Sequence, residues 1–269
     1  MSKRKVIIGI FAIATASSLL LINYARQKYV VPIIMYHSVN PQPNPEIKRL
    51  IVSPETFKRQ MRFLKEHKYN VLPLEAVVSF IKDRKRFPPR TVAITFDDGY
   101  RDNYIYAFPV LKKYNLPATI FIIVNEVERP QGDRLGWREI KEMQDSGIIS
   151  IGSHTIGPEP LVKIKSKEEV KRQIFDSKKI LEQKLGSKVN IFSYPEGMFD
   201  AKIRQLVIDA GYIAAVATKP GERYPDDDVF ALKRIRISEN ASNMFIFAVE
   251  TSGFYSFMKE KSKSKHGKE

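Results

Sequence analysis

At 269 residues, with 43% hydrophobic content, 16 Phe and 12 Tyr, the chain is sized for one large domain with a real core. Its net charge of +15 is partly terminal: residues 1–5 and residues 259–269 each carry three net positives, leaving about nine on the body, which suits an anionic surface such as a membrane or cell wall. The lack of cysteine excludes disulfides, thiolate metal sites and a lipoprotein anchor, and the lack of nucleic-acid motifs argues against a nucleic-acid partner.

The basic end, residues 1–5, precedes an uncharged apolar run from Val6 to Ile22. Such a run is short for a membrane span, and Ala14-Thr15-Ala16 resembles a signal cleavage site. Leu19-Leu20-Leu21-Ile22 continue the run beyond that site. Residues 6–23 are therefore expected to be an uncleaved signal anchor, a transmembrane helix with its basic end in the cytoplasm. The chain would be a single-pass cell-membrane protein with residues 24–258 as an extracytoplasmic domain, secreted if the signal is cleaved. Residues 259–269 read as a disordered basic tail.

Strand-like and helix-like segments then alternate. The strand candidates are Val30–Met35, Val92–Phe96, Ala118–Val124, Ile149–Ser153, Asn190–Ser193, Ile213–Ala217 and Leu232–Ile237. They are short, apolar and β-rich, as parallel strands buried on both faces should be. Ser53-Pro54-Glu55 opens a helix with a cap and a first-turn proline. Further helices are expected over Leu74–Lys82, Asn103–Tyr114, Arg138–Ser146, Ser166–Leu185, Asp200–Ala210 and Ala241–Phe254. Seven β–α units in series predict either a barrel or an open doubly wound sheet.

Polar residues suited to chemistry follow several strands: His37, Asp97 and Asp98, His154, and Tyr194-Pro195-Glu196-Gly197. A barrel gathers such strand ends around one mouth, whereas an open sheet spreads them along an edge. The expected fold is a distorted, incomplete (β/α) barrel of about seven strands. Asp97 and Asp98 repel each other and are costly to desolvate; the pair alone reads as a strand ending in an Asp-Gly turn, and the other strand-end polar residues shift the reading to a cation or a proton-transfer task. Of four histidines, His266 lies in the tail and His67 in the polar segment Lys65-Glu66-His67-Lys68. His37 and His154 remain, each just after a strand.

Thr95-Phe96-Asp97-Asp98-Gly99 resembles the first motif of the polysaccharide deacetylases, carbohydrate esterase family four. Gly152-Ser153-His154-Thr155 resembles the start of their second motif, and Phe192-Ser193-Tyr194-Pro195-Glu196-Gly197 their third. Leu135-Gly136-Trp137, a helix and Asp145-Ser146-Gly147 resemble the segment leading to the second motif. Met35-Tyr36-His37-Ser38-Val39 resembles the N-terminal signature of a permuted branch, the poly-β-1,6-N-acetylglucosamine deacetylases. The likeness spans roughly residues 30–237.

The resemblance implies a divalent metal, most often zinc, with Asp98 and His154 matching two of its ligands. It implies Asp97 as general base and His37 as the acid that protonates the departing amine. The Tyr194–Gly197 segment would supply an oxyanion-stabilising backbone N–H and substrate contacts, and Trp137 would line a sugar cleft, packing at its helix start being the other role open to it. Two positions depart from the pattern. The second histidine ligand is replaced by Pro158, next to Glu159, which offers an oxygen. Ser193 stands where an arginine often orients the base. Alternation puts Arg234 and Arg236 on one strand face, and either would substitute for that arginine if the face lines the mouth. The implied function is metal-dependent removal of N-acetyl groups from an N-acetylhexosamine polysaccharide or cell-wall glycan. The alternatives are a catalytically impaired glycan-binding member and an O-acetyl esterase.

Overall fold

The computed structural model describes residues 15, 17, 29–42, 49–129, 131–218 and 228–255. Of the expected anchor over residues 6–23, only Thr15 and Ser17 fall among them, and the tail over residues 259–269 lies outside. Among the described residues no helix is long and apolar enough to cross a membrane. Residues 31–252 form one compact unit, and residues 1–30 with 253–269 group separately.

In chain order the strands are β1 (Ile33–Tyr36), β2 (Ser38–Val39), β3 (Ile51–Val52), β4 (Asn70–Val71), β5 (Thr91–Phe96), β6 (Ala118–Ile122), β7 (Ile149–Ser153), β8 (Ile191–Ser193), β9 (Ala214–Ala217), β10 (Leu232–Lys233) and β11 (Ile235–Arg236). The helices are α1 (Pro54–Glu66), α2 (Leu74–Lys82), α3 (Phe108–Tyr114), α4 (Trp137–Asp145), α5 (Lys167–Leu185), α6 (Ala201–Asp209) and α7 (Met244–Glu250). Every expected strand forms. The first begins later than expected, because Pro32 has no N–H to give a neighbour and only its carbonyl joins the sheet, accepting from Ala93.

The main sheet runs β10-β9-β8-β7-β6-β5-β1-β11, with β4 added beside β5, and its pairings are parallel. The two ends of that order, β10 and β11, are separated in sequence by Arg234 alone. One short segment thus pairs with β9 on one side and β1 on the other. The sheet curls into a nearly closed barrel of eight strands, and the splice holding its two edges carries an inward arginine. β2 and β3 form a separate parallel pair.

The core lies inside the barrel and under the helices, with Ile34, Ile94, Ile120, Ile151 and Phe192 buried. Tyr36, Phe57 and Phe96 form one aromatic cluster, with Tyr36 and Phe96 stacked at 5.4 Å and Tyr36 edge-on to Phe57 at 5.2 Å. The helix expected from Asn103 opens with a wide turn over Asn103–Ala107 before α3. Pro109 lacks the N–H that Ile105 would receive in an α-helix, so that ladder cannot start earlier.

Candidate active site

The register of β1 on β5 pairs Tyr36 with Phe96, so the next residues, His37 and Asp97, leave the sheet side by side. The Asp97 N–H donates to the Tyr36 carbonyl at 3.0 Å. The stacked rings of Tyr36 and Phe96 fix both strand ends just below the mouth. On the other side, Ser153 of β7 pairs with Phe192 of β8, bringing His154 beside Ser193. Gly152 is required there, since a Cβ would stand 2.4 Å from the Phe121 ring and 3.0 Å from the Ile191 carbonyl.

His154 Nδ1 lies 2.8 Å from the Ser193 carbonyl oxygen. A carbonyl only accepts, so Nδ1 carries the proton and Nε2 of the neutral ring is a bare acceptor. That Nε2 faces two more acceptors, Asp98 Oδ1 at 3.5 Å and Asp97 Oδ2 at 3.9 Å. Three acceptors facing one another are stable only with a proton or a cation among them.

Arg234 supplies the other side of the site. Its Nη1 and Nη2 each donate to an Asp97 oxygen at 2.6 Å, and Nη2 also donates to Ser193 Oγ at 3.0 Å. Asp97 and Arg234 are both buried, at 3% and 5% exposure. Burial alone would raise the Asp97 carboxyl, but the guanidinium, helped by His154 and His37, holds it at about 2. Burial lowers the His37 imidazole below its ordinary value, against the opposing pull of Asp97 and Asp98.

Three non-glycine residues at the strand exits adopt left-handed backbone: Asp98 (φ 68°), Thr155 (φ 70°) and Glu196 (φ 54°). Each costs roughly 1–3 kcal/mol, and such strain concentrates where side chains must be aimed. In the turn after β8, Tyr194 N–H is taken by Val216, Gly197 N–H by the Tyr194 carbonyl and Met198 N–H by the Pro195 carbonyl. Pro195 has no N–H. Glu196 contributes the one amide of residues 194–198 with no backbone partner among the described hydrogen bonds. Gly197 sits tight against the chain, where a Cβ would come 2.3 Å from Thr218 N.

The structure brings Asp97, Asp98, His154, His37 and Arg234 to one barrel mouth. Arg236 is exposed, because the strand breaks into β10 and β11 at Arg234 and simple alternation no longer holds. Pro158 and Glu159 are both exposed, and among the described residues no three His, Cys, Asp or Glu form a metal-holding group. Trp137 packs against the core at the start of α4, with Lys184 Nζ 5.4 Å from its ring centre. Tyr194 is buried, stacked on Phe199 at 4.2 Å, and donates its hydroxyl to the Phe230 carbonyl. Ser193 and Thr95 were not anticipated as ligands of Arg234. Their small polar side chains at the ends of apolar strands were the available signal.

Comparison with known proteins gives the family. The polysaccharide deacetylase family model matches residues 84–215. YxkH of Bacillus subtilis, named as a polysaccharide deacetylase, is 36% identical over 213 residues, covering 79% of this chain and 73% of that one. The chain belongs to the polysaccharide deacetylase family. A second relative of this deacetylase is the poly-β-1,6-N-acetyl-D-glucosamine N-deacetylase of Staphylococcus epidermidis, 30% identical over 241 residues, 86% of this chain and 82% of that one. Among solved structures, the deacetylase PplD of Streptococcus pyogenes in complex with acetate superimposes with a TM-score of 0.72. It is 29% identical, and the match covers 81% of this chain and 97% of that one.

Proposed function

We propose that this deacetylase removes N-acetyl groups from a polymer of N-acetylhexosamine, using Asp97 as base and His37 as acid beside a divalent ion. The observation that carries this reading is that His154 Nε2, an acceptor, faces Asp98 Oδ1 at 3.5 Å and Asp97 Oδ2 at 3.9 Å. That donor set fits a cation. Asp98 and His154 would hold it, zinc being the favoured ion by its taste for imidazole and carboxylate together. Such an ion supplies Lewis acidity, polarising the acetamide carbonyl and making water more acidic.

The chain's own groups do the rest. Asp97, locked by Arg234, stays ionised and takes a proton from the attacking water. The Glu196 N–H, which has no backbone partner among the described hydrogen bonds, would donate to the carbonyl oxygen as it gains negative charge. His37 gives its proton to the amine nitrogen as the carbon–nitrogen bond breaks. Acetate and a free amine leave.

The name of the staphylococcal relative supports a β-1,6-linked N-acetylglucosamine polymer as substrate. The apolar run over residues 6–22 supports anchoring in the cell membrane with the domain outside, where such a polymer lies. One observation favours a second reading, an impaired glycan-binding member: Pro158 withholds the third ligand, and Glu159 beside it is exposed. Full-length protein with added zinc or cobalt, tested on N-acetylglucosamine oligomers, separates the readings. Release of acetate with free amine is expected. Binding without turnover would establish the second reading, and turnover of O-acetyl esters alone would make the chain an esterase.

A further inference from the structure

We propose that Asp102 and Asn103 are positioning residues that clamp His37, a role resting on the reading of His37 as the proton donor. Among the described residues the His37 ring has no orienting partner of its own, since its Nδ1 is buried with no hydrogen bond. A working histidine is normally fixed through its second nitrogen. Here the backbone must do the fixing.

Asp102 is buried, at 8% exposure, and has no salt-bridge partner among the described residues. Four donors converge on it instead. Ser38 Oγ donates at 2.5 Å, Val39 N–H at 3.0 Å, Asn103 Nδ2 at 2.9 Å and Asn40 Nδ2 at 3.4 Å. Three of the four come from the residues directly after His37. Asn103, at 1% exposure, also donates from Nδ2 to the His37 carbonyl at 2.8 Å. From the other side, the Asp97 N–H holds the Tyr36 carbonyl at 3.0 Å.

The segment from Asp97 to Asn103 therefore grips residues 36–40 at both ends. The same short stretch carries the base and a proposed metal ligand. A shift of that grip would move His37 relative to both carboxylates. A carboxylate with four neutral donors is an expensive way to hold a surface loop, because its burial is repaid only if every bond is kept. The arrangement is explained by the precision that proton delivery to the leaving nitrogen demands.

The test measures kcat, KM and zinc affinity of the full-length protein on N-acetylglucosamine oligomers. Asp102→Ala is expected to lower kcat roughly 100-fold, with KM and zinc affinity changed by less than about twofold. Asp102→Asn keeps the shape and part of the acceptor set, and should come within roughly tenfold of the parent protein. In a His37→Ala background, Asp102→Ala should cost nothing further. An equal kcat loss in both backgrounds would overturn the clamp and leave the proton-donor reading standing. An unchanged kcat in His37→Ala alone would overturn the proton-donor reading, and the clamp with it. If Asp102→Ala does not fold, Asn103→Ala carries the same cycle. It removes the Asn103 Nδ2 donor to the His37 carbonyl, for an expected kcat loss of about tenfold that vanishes in the His37→Ala background.

Discussion

Asp97 and Asp98 are neighbours in sequence and opposites in surroundings. Asp97 is sealed in the barrel, with both oxygens taken by Arg234 and the guanidinium held in turn by Ser193. Asp98 is partly exposed, sits in left-handed backbone and faces the bare nitrogen of His154. The contrast divides the mouth into two halves. The base half is completed by protein alone. The half made of Asp98, His154 and His37 sets acceptors in opposition, with His154 Nε2 facing Asp98 Oδ1. The proposed hydrolysis needs this division, with a base held ionised before the reaction and an open position where ligand and substrate meet.

The sharpest way to break the comparison is Asp97→Asn. It keeps shape and removes the proposed base, so turnover should fall roughly 10³-fold or more. Zinc affinity, read by competition with a chelator, should stay nearly intact. Loss of both together would mean the two halves are one. Arg234→Met is next. It strands a buried carboxylate, and urea unfolding at neutral pH should show a loss of about 3–5 kcal/mol. The sign with pH follows from the depressed Asp97 pKa. The parent protein holds this stability above the ordinary carboxylate range and loses it as pH falls toward about 2. The variant should lack that acid-linked loss, and Asp98→Asn should leave it in place.

Much of this was legible in the residues. The seven strand runs were, because strands buried on both faces must be continuously apolar, and Val92–Phe96 or Ala118–Val124 read as little else. Asp97, Asp98, His37 and His154 were placed by the rule that barrel strands deliver their ends to one mouth. The choice between Arg234 and Arg236 was not legible. It depends on one residue splicing two strands, and a five-residue alternation cannot reveal a break that only barrel closure produces. β2, β3 and β4 were also missed, being two residues each and fixed by pairing instead of composition. Asp102 and Asn103 went unread at the start of the helix expected over Asn103–Tyr114, where two residues that favour helix starts gave the only hint.

The open half can be sharpened by adding to it. Pro158→His puts an imidazole where the family pattern has its second histidine ligand. If that loop faces Asp98 and His154, zinc should bind about tenfold tighter by isothermal titration, with urea stability unchanged because the base half is untouched. An unchanged affinity would show that the loop carrying Pro158 and Glu159 points away from the cation position, and that the site works with two protein ligands or not at all.

The smallest effect separates the halves by pH. Asp97, at about 2, is ionised throughout the working range and contributes no acidic limb to kcat/KM. His37 must carry a proton to donate it, so activity should decline as pH rises through its pKa. Burial has already lowered that pKa, and a cation nearby pushes it the same way. The alkaline limb of kcat/KM should therefore begin below neutral pH, and His37→Ala should flatten it while lowering the rate. A limb that survives in His37→Ala would belong to another group, and a plateau reaching well above neutral pH would mean that His37 gives no proton at all. Either result would move the acid out of the open half and dissolve the division that the two aspartates draw.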